Sequence, residues 1–257
     1  MAKKSKKILA RFEHPQLSNA SKTLLANIRF ASVDEKVKTI VVTSSEQNEG
    51  KTIVSTNLAN AIATAGKKVL IVECDMCRRS LGKLLDVHPA NGLYAALSGS
   101  ASLNDAILPT HIPNLYFLDA EPNIPSPADI LSTKRFASLV DKLRDSFDYV
   151  IFDTPPVSLF VDAAILSSLV DGTLLVIRQN QTKRSLEVRP AAPRGRCPYS
   201  GHGHDVLHRR REQLLLRLLH AGRQAREQGG LRAIRHAFRP EQPRVLGEGR
   251  AHVPTPC

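Results

Sequence analysis

The chain has 257 residues, 42% of them hydrophobic, which is enough for the packed core of one large α/β domain or two small ones. Apolar runs such as Leu174–Ile177 are far shorter than a bilayer span, and the basic start "MAKKSKKILARF" has no apolar stretch after it; neither a transmembrane helix nor a secretory signal is expected, and the cytoplasm is the expected compartment. The net charge of +12 is unevenly held: residues 1–188 carry 22 Lys+Arg against 19 Asp+Glu, whereas residues 189–257 carry 14 Arg, no Lys and 5 acids.

In chain order, "SKTLLANIRFA" (21–31) has apolar residues at helical spacing and predicts a short helix. "VKTIVVTSS" (37–45) predicts a buried strand. It runs into "EQNEGKT" and a helical pattern, "IVSTNLANAIATAG", that stops at Gly66. "KKVLIVECD" (67–75) is a second strand. Short helices are expected around Leu81–Leu85, Leu93–Leu97 and Leu103–Ile107, and "NLYFLDA" (114–120) is a third strand. "SPADILSTKRFASLVDKLRDSF" starts with a cap and a proline and predicts one or two helices. "DYVIFDTPP" is a fourth strand, "VDAAILSSLV" a helix and "GTLLVIRQ" a fifth strand. Strands that are apolar throughout and alternate with helices predict an α/β fold: a mostly parallel sheet with helices on both faces. After Val188 the pattern stops.

The first chemical signal is "SSEQNEGKT" (44–52). It matches the P-loop pattern G-x-x-x-x-G-K-[ST], with Ser45 in the first glycine position. The strand before it and the helix after it are what the motif requires. Gly50 lets the backbone approach a phosphate, and the amides at the helix start face the anion. The expected nucleotide-cradling residues are therefore Ser45, Glu46, Gln47, Asn48, Glu49, Gly50, Lys51 and Thr52. Lys51 reaches the β- and γ-phosphates, and the Thr52 hydroxyl is a magnesium ligand. The alternative for "EGKT" alone is a glycine turn with a surface lysine.

Two aspartates follow at strand ends. Asp75 ends "VLIVECD" and Asp153 ends "YVIFD". Both reach the carboxyl edge of the sheet, where open α/β sheets bind ligands. Either alone suits a turn or cap; together, behind a P-loop, they suit metal-dependent phosphoryl transfer, with Thr52, Asp75 and Asp153 as candidate metal residues and Lys51, Asp75 and Asp153 as candidate catalytic residues. Cys74 and Cys77 form a lone C-x-x-C with no further ligands at zinc spacing, and read as structural.

"EGKT", "VLIVECDMCRRSLGKLL" and "FDYVIFDTPP" resemble the Walker A, A′ and B motifs of bacterial tyrosine kinases of the capsule- and exopolysaccharide-synthesis family, relatives of the MinD/ParA group of P-loop ATPases. The resemblance covers residues from about 18 to 188 and extends to "GLYAALSG", "SLNDAI" and "IPSPADILSTKRF". It implies ATP and Mg²⁺ as cofactors, Lys51 on phosphate, Thr52 and Asp153 on magnesium, and Asp75 as the base that draws the proton from the attacking tyrosine. It also implies protein-tyrosine substrates, homo-oligomers, and a membrane-embedded polysaccharide co-polymerase as activator at the inner face of the plasma membrane. The alternative is a MinD/ParA-like ATPase acting as a localisation or dimerisation switch. That group's signature lysine is missing from "SEQNEGKT", which favours the kinase.

Three features depart from the family pattern. Glu73 stands where the first A′ aspartate is common, an exchange that suits a carboxylate pointing outward. Cys77 stands where an arginine is common, with Arg78 and Arg79 after it. The oligomerisation motif E-x-x-R-x-x-R aligns with Asn19, Lys22 and Leu25, which keep one of its three charges.

The expected organisation is an N-terminal segment with a short helix (1–36), a P-loop kinase domain lacking its last strand (37–188) and an irregular, basic, Arg-rich tail (189–257). The tail holds only one tyrosine, Tyr199, where the family carries a tyrosine cluster. Read one nucleotide later, "EQLLLRLLHA" (212–221) admits Ser-Asn-Tyr-Tyr-Tyr-Asp-Tyr-Tyr-Thr-Pro, and the loss of lysine is what an out-of-frame GC-rich gene produces. The tail accordingly reads as out of frame. A Leu/Arg helix for a partner or membrane, a nucleic-acid-binding module and a histidine metal site are the alternatives. The tail lacks interleaved aromatics, and no nucleic-acid partner is expected.

Overall fold

The computed structural model describes residues 15–31, 36–122, 124, 126–178 and 214–219. The basic N-terminus, Tyr199 and the tail histidines lie outside the described residues. The elements in chain order are α1 (Pro15–Ala31), β1 (Thr39–Ser44), α2 (Lys51–Thr64), β2 (Val69–Glu73), α3 (Leu81–Leu85), α4 (Leu93–Ser98), α5 (Leu103–Ala106), β3 (Ile107–Pro109), β4 (Leu115–Leu118), α6 (Pro127–Leu131), α7 (Lys134–Ser146), β5 (Tyr149–Asp153), α8 (Asp162–Ser167), β6 (Gly172–Arg178) and β7 (Leu214–Leu219).

They form a seven-stranded sheet in the order β3-β4-β2-β5-β1-β6-β7. The inner strands are parallel, and β3 and β7 are antiparallel edges. The strands are apolar throughout because both faces are covered. Ile40, Val42, Val69, Ile71 and Ile151 pack toward α1 and α2, with Leu24, Ile28, Leu58 and Ile62. Their alternates Val41, Leu70, Val72, Val150 and Phe152 pack on the other face with Phe136, Val140 and Leu143 of α7 and Leu166 of α8. Each such fully buried side chain contributes about 1.5–3 kcal/mol. Thr133 starts α7 by accepting the Phe136 N–H at 3.1 Å, a side-chain cap.

The five strands and the helices predicted from sequence are present, with three differences. The first helix starts six residues earlier, at Pro15, where Ser21 Oγ donates to the Leu17 carbonyl at 2.8 Å. Short β3 was not expected: Leu108 pairs antiparallel with Phe117, and three residues are too few to show a period. Within the stretch expected to be irregular, Leu214–Leu219 pairs antiparallel with β6, from Arg178 opposite Leu214 to Thr173 opposite Leu219. The physical reason is the open edge of β6, whose free N–H and C=O groups accept any extended apolar segment.

Gly92, before α4, is a position of close approach. A Cβ there would collide with the Asp119 carbonyl oxygen and lie 3.1 Å from Glu121 Cδ. The same place holds the Leu93 N–H donating to the Asp119 carbonyl at 2.8 Å and the Gly92 N–H donating to Glu121 Oε1 at 2.8 Å. Gly92→Ala is expected to cost about 2 kcal/mol by forcing this junction apart, which a lowered urea midpoint will show.

Candidate active site

The strand-to-helix turn after β1 is built from two residues in the left-handed region, Asn48 (φ 62°) and Gly50 (φ 92°). Glycine adopts it freely, and asparagine tolerates it better than most side chains. Ser44 Oγ donates to the Glu46 carbonyl at 2.7 Å, and the Glu46 N–H donates to Glu49 Oε2 at 2.8 Å. Glu49 and Ser45 are thereby buried in the turn rather than presented to solvent. The first backbone bond of α2 runs from the Val54 N–H to the Gly50 carbonyl at 2.9 Å. The N–H groups ahead of it have no acceptor within the helix and carry its positive dipole end, an arrangement suited to a phosphate.

The two aspartates singled out from sequence meet the turn directly. Asp153 ends β5 on the side of the sheet that Ile151 shares with α2. Its Oδ2 accepts from Thr52 Oγ1 at 2.7 Å, and its Oδ1 accepts from Ser55 Oγ at 2.9 Å. Asp75, just past β2, accepts from Lys51 Nζ at 3.0 Å on Oδ2 and from the Arg78 N–H at 2.9 Å on Oδ1. Both carboxylates and Lys51 are largely withdrawn from water. Of the remaining loop residues, Asn48 accepts from Arg78 Nη1 at 3.3 Å.

Burial sets the proton affinities. Desolvation is the largest effect on Asp153 and raises it to about 6, although Lys51 and the hydroxyls of Thr52 and Ser55 pull the other way. Burial alone would lower Lys51. The charges of Asp153, Asp75 and Glu73 outweigh it and leave Lys51 raised, hence firmly cationic. Cys74 is fully buried and its thiol is pushed well up, first by desolvation and then by the surrounding carboxylates, so it is a poor nucleophile.

The residues fit a magnesium nucleotide. Thr52 and Asp153 present hard oxygen donors side by side, the helix start presents amides, and Lys51 presents a cation. The Ser45 hydroxyl is buried in the turn without a hydrogen-bond partner. No group of three or more His, Cys, Asp and Glu side chains is arranged for a metal among the described residues. Magnesium takes one or two carboxylates and completes its shell with phosphate and water.

A family model described as an AAA domain matches residues 37–187. The chain is 35% identical over 167 residues to the tyrosine-protein kinase YwqD of Bacillus subtilis, covering 65% of this chain and 70% of the relative. Among solved structures it is similar to the chimerical protein CapA2B2, with a TM-score of 0.66, 31% identity and coverage of 70% of this chain and 80% of the other. It is also similar to the kinase domain of the Escherichia coli tyrosine kinase ETK, with a TM-score of 0.60, 30% identity and coverage of 63% of each chain. The chain belongs to the bacterial tyrosine-protein kinase family.

Within this kinase, three residues were not recognised from sequence, or were misread. Ser55 lies three residues after Thr52, so the two hydroxyls share one helix face and grip the two oxygens of one carboxylate; that spacing was the available signal. Glu73 was read as a tolerable exchange for aspartate on the condition that its carboxylate points outward. It is instead fully buried, on the same side of the sheet as Asp153, its register partner, and its carboxyl is raised well above the usual range, chiefly by burial and then by Asp153. Asp162, at the start of α8, is buried and raised to about 6 by desolvation first and by Asp75 second; only the fold brings it near Asp75.

Leu25, aligned with the last charge of the oligomerisation motif, is buried against the core, while Lys22 and Asn19 are exposed.

The folded state holds the Asp162 proton up to about 6 against an ordinary 3.8. It therefore binds more protons than the unfolded chain between those values, and this contribution to stability is present in full below about pH 4 and lost as pH rises through about 6. Asp162→Asn is expected to stabilise the nucleotide-free protein by about 1–2 kcal/mol at pH 7.5 and by little at pH 4, read as the shift in urea midpoint at each pH.

Proposed function

We propose that this kinase transfers the γ-phosphoryl group of ATP to tyrosine hydroxyls of proteins, at the turn Ser45–Thr52 with Asp75 and Asp153, and that it regulates capsular or exopolysaccharide synthesis. The observation that carries the site assignment is the pair of direct contacts from the turn to the two strand-end carboxylates, Lys51 to Asp75 and Thr52 to Asp153.

The tyrosine oxygen attacks the γ-phosphorus in line. The new O–P bond forms as the bond to the β-phosphate oxygen breaks, and ADP leaves. Lys51 and the amides at the start of α2 stabilise charge on the phosphates. Thr52 and Asp153 would hold magnesium, which neutralises developing charge on the phosphate oxygens. Lys51 has a second role, because its ammonium covers Oδ2 of Asp75. Phosphates compete for that ammonium, and its transfer to them leaves Oδ2 open to receive the tyrosine proton. A tyrosine hydroxyl has a pKa near 10, so a base placed beside it is needed at neutral pH.

Among the described residues, no helix is long and apolar enough to cross a membrane. A membrane-embedded activator at the inner face of the plasma membrane would supply the location, and the resemblance of the chain to the capsule-synthesis kinases supports that partner. Residues 189–257 are read as an out-of-frame sequence that has lost the acceptor tyrosines. Genomic sequencing across codons 185–190 tests this; an intact frame with no tyrosine-rich alternative removes it.

Purified protein with labelled ATP and a tyrosine-containing partner should yield phosphotyrosine on the partner and little on itself. Phosphate release without phosphotyrosine would instead favour the ATPase switch. Asp75→Asn is expected to retain magnesium-ADP binding while losing about 10²–10⁴-fold in transfer rate. Lys51→Ala is expected to lose nucleotide affinity as well, measured by equilibrium binding.

A further inference from the structure

The loop from Cys74 to Ser80 carries Asp75 and Arg78, and it is tied at both ends to one side chain. Glu73 Oε2 accepts the backbone N–H groups of Ser80 at 2.8 Å and Leu81 at 2.9 Å. Its Oε1 accepts the Asp75 N–H at 3.3 Å. Glu73 is fully buried and lies on the last residue of β2, in register with Asp153 on β5. It thus joins the rigid strand tip to the amide of Asp75 and to the start of α3, closing the loop from inside. No hydrogen bond of Glu73 reaches the hydroxyls or the ammonium that face the nucleotide turn: Thr52 and Ser55 bond to Asp153, and Lys51 bonds to Asp75.

We propose that Glu73 is a positioning residue, which sets the loop bearing Asp75 through backbone amides and touches neither nucleotide nor metal. The inference rests on the reading of Asp75 as the base. It explains why glutamate serves here. The carboxylate must reach amides seven and eight residues ahead while staying within range of Asp75. One methylene fewer withdraws it by about 1.5 Å, beyond hydrogen-bond range of those amides at the present loop position. The charge is not required for that task, since an amide oxygen in the place of Oε2 accepts the same two N–H groups, and an amide nitrogen in the place of Oε1 gives up only the longest contact, the Asp75 N–H at 3.3 Å.

The test compares Glu73→Gln, Glu73→Asp and Glu73→Ala in the full chain. Three readouts are taken: phosphotransfer to a tyrosine-containing partner, the Kd for magnesium-ADP, and hydrogen exchange at the Ser80 and Leu81 amides. Glu73→Gln is expected to keep kcat within about 3-fold and to keep both amides protected. Glu73→Asp and Glu73→Ala are expected to lose about 10–100-fold in kcat, the scale of a displacement of about 1 Å in a catalytic group. Their Kd for magnesium-ADP is expected to stay within about 2-fold of the parent, and both amides to exchange faster. The binding measurement also verifies that each variant is folded. A Glu73→Gln variant as impaired as Glu73→Ala would overturn the proposal by showing that the charge acts directly, and so would a Kd rising in parallel with the fall in kcat. Unchanged exchange at both amides in Glu73→Ala would overturn it as well. The exchange readout does not depend on the base assignment, so full transfer by Asp75→Asn would remove that assignment and leave the loop contacts separately tested.

Discussion

The structure depends on the double hydrogen bond between the Asp153 carboxylate and two hydroxyls of α2, Thr52 and Ser55. It joins the tip of a central strand to the first turn of the helix that follows the Ser45–Gly50 turn. A fully buried carboxylate is costly to desolvate. Here the cost is offset by the two hydroxyl donors and the nearby Lys51 ammonium, each of which favours the ionised form. The balance leaves Asp153 poised: raised by burial, yet ready to be fully ionised beside a cation. A carboxylate so placed is held in one orientation before any ligand arrives, the condition under which electrostatic stabilisation acts without reorganisation.

The rest of the site follows from strand parity. Side chains alternate across a strand, so Ile151 and Asp153 of β5 face α2, as do Ile71 and Glu73 of β2. Two acids therefore enter the same side of the sheet edge, in register. One, Asp153, meets the hydroxyls of α2. The other, Glu73, turns to the backbone of the loop ahead of it and leaves Asp75 to meet Lys51. The division of labour between three acids close in sequence and space is thus a consequence of which donors each one reaches.

The ion pair between Lys51 and Asp75 adds a link between binding and chemistry. On the proposed mechanism, the ammonium that a phosphate would need is the one that covers Asp75 Oδ2. Both groups are largely buried, so their attraction is stronger than at a surface, and neither is left unpaired while the pair holds. In that proposal a nucleotide taking over the ammonium would release a carboxylate whose other oxygen accepts from the Arg78 amide, which would keep the freed oxygen's direction.

Much was legible in the residues themselves. Continuous apolar runs determined the five parallel strands, because a strand covered on both faces needs no polar alternate, and helical spacing determined the helices between them. The G-K-T signature and the strand-end positions of Asp75 and Asp153 pointed to residues that the fold brings into contact, because backbone geometry at a strand-to-helix turn is local. Tertiary structure decided what had no local signal. It decided that Ser55 would grip Asp153, that Glu73 would turn inward to amides seven and eight residues away, and that Asp162 would lie near Asp75. It also decided that three residues at Ile107 and a leucine run at 214 would join the sheet, because an edge strand is defined by the open backbone beside it and not by its own pattern. Local periodicity records burial, whereas the partner of a buried polar group is chosen only when distant segments meet.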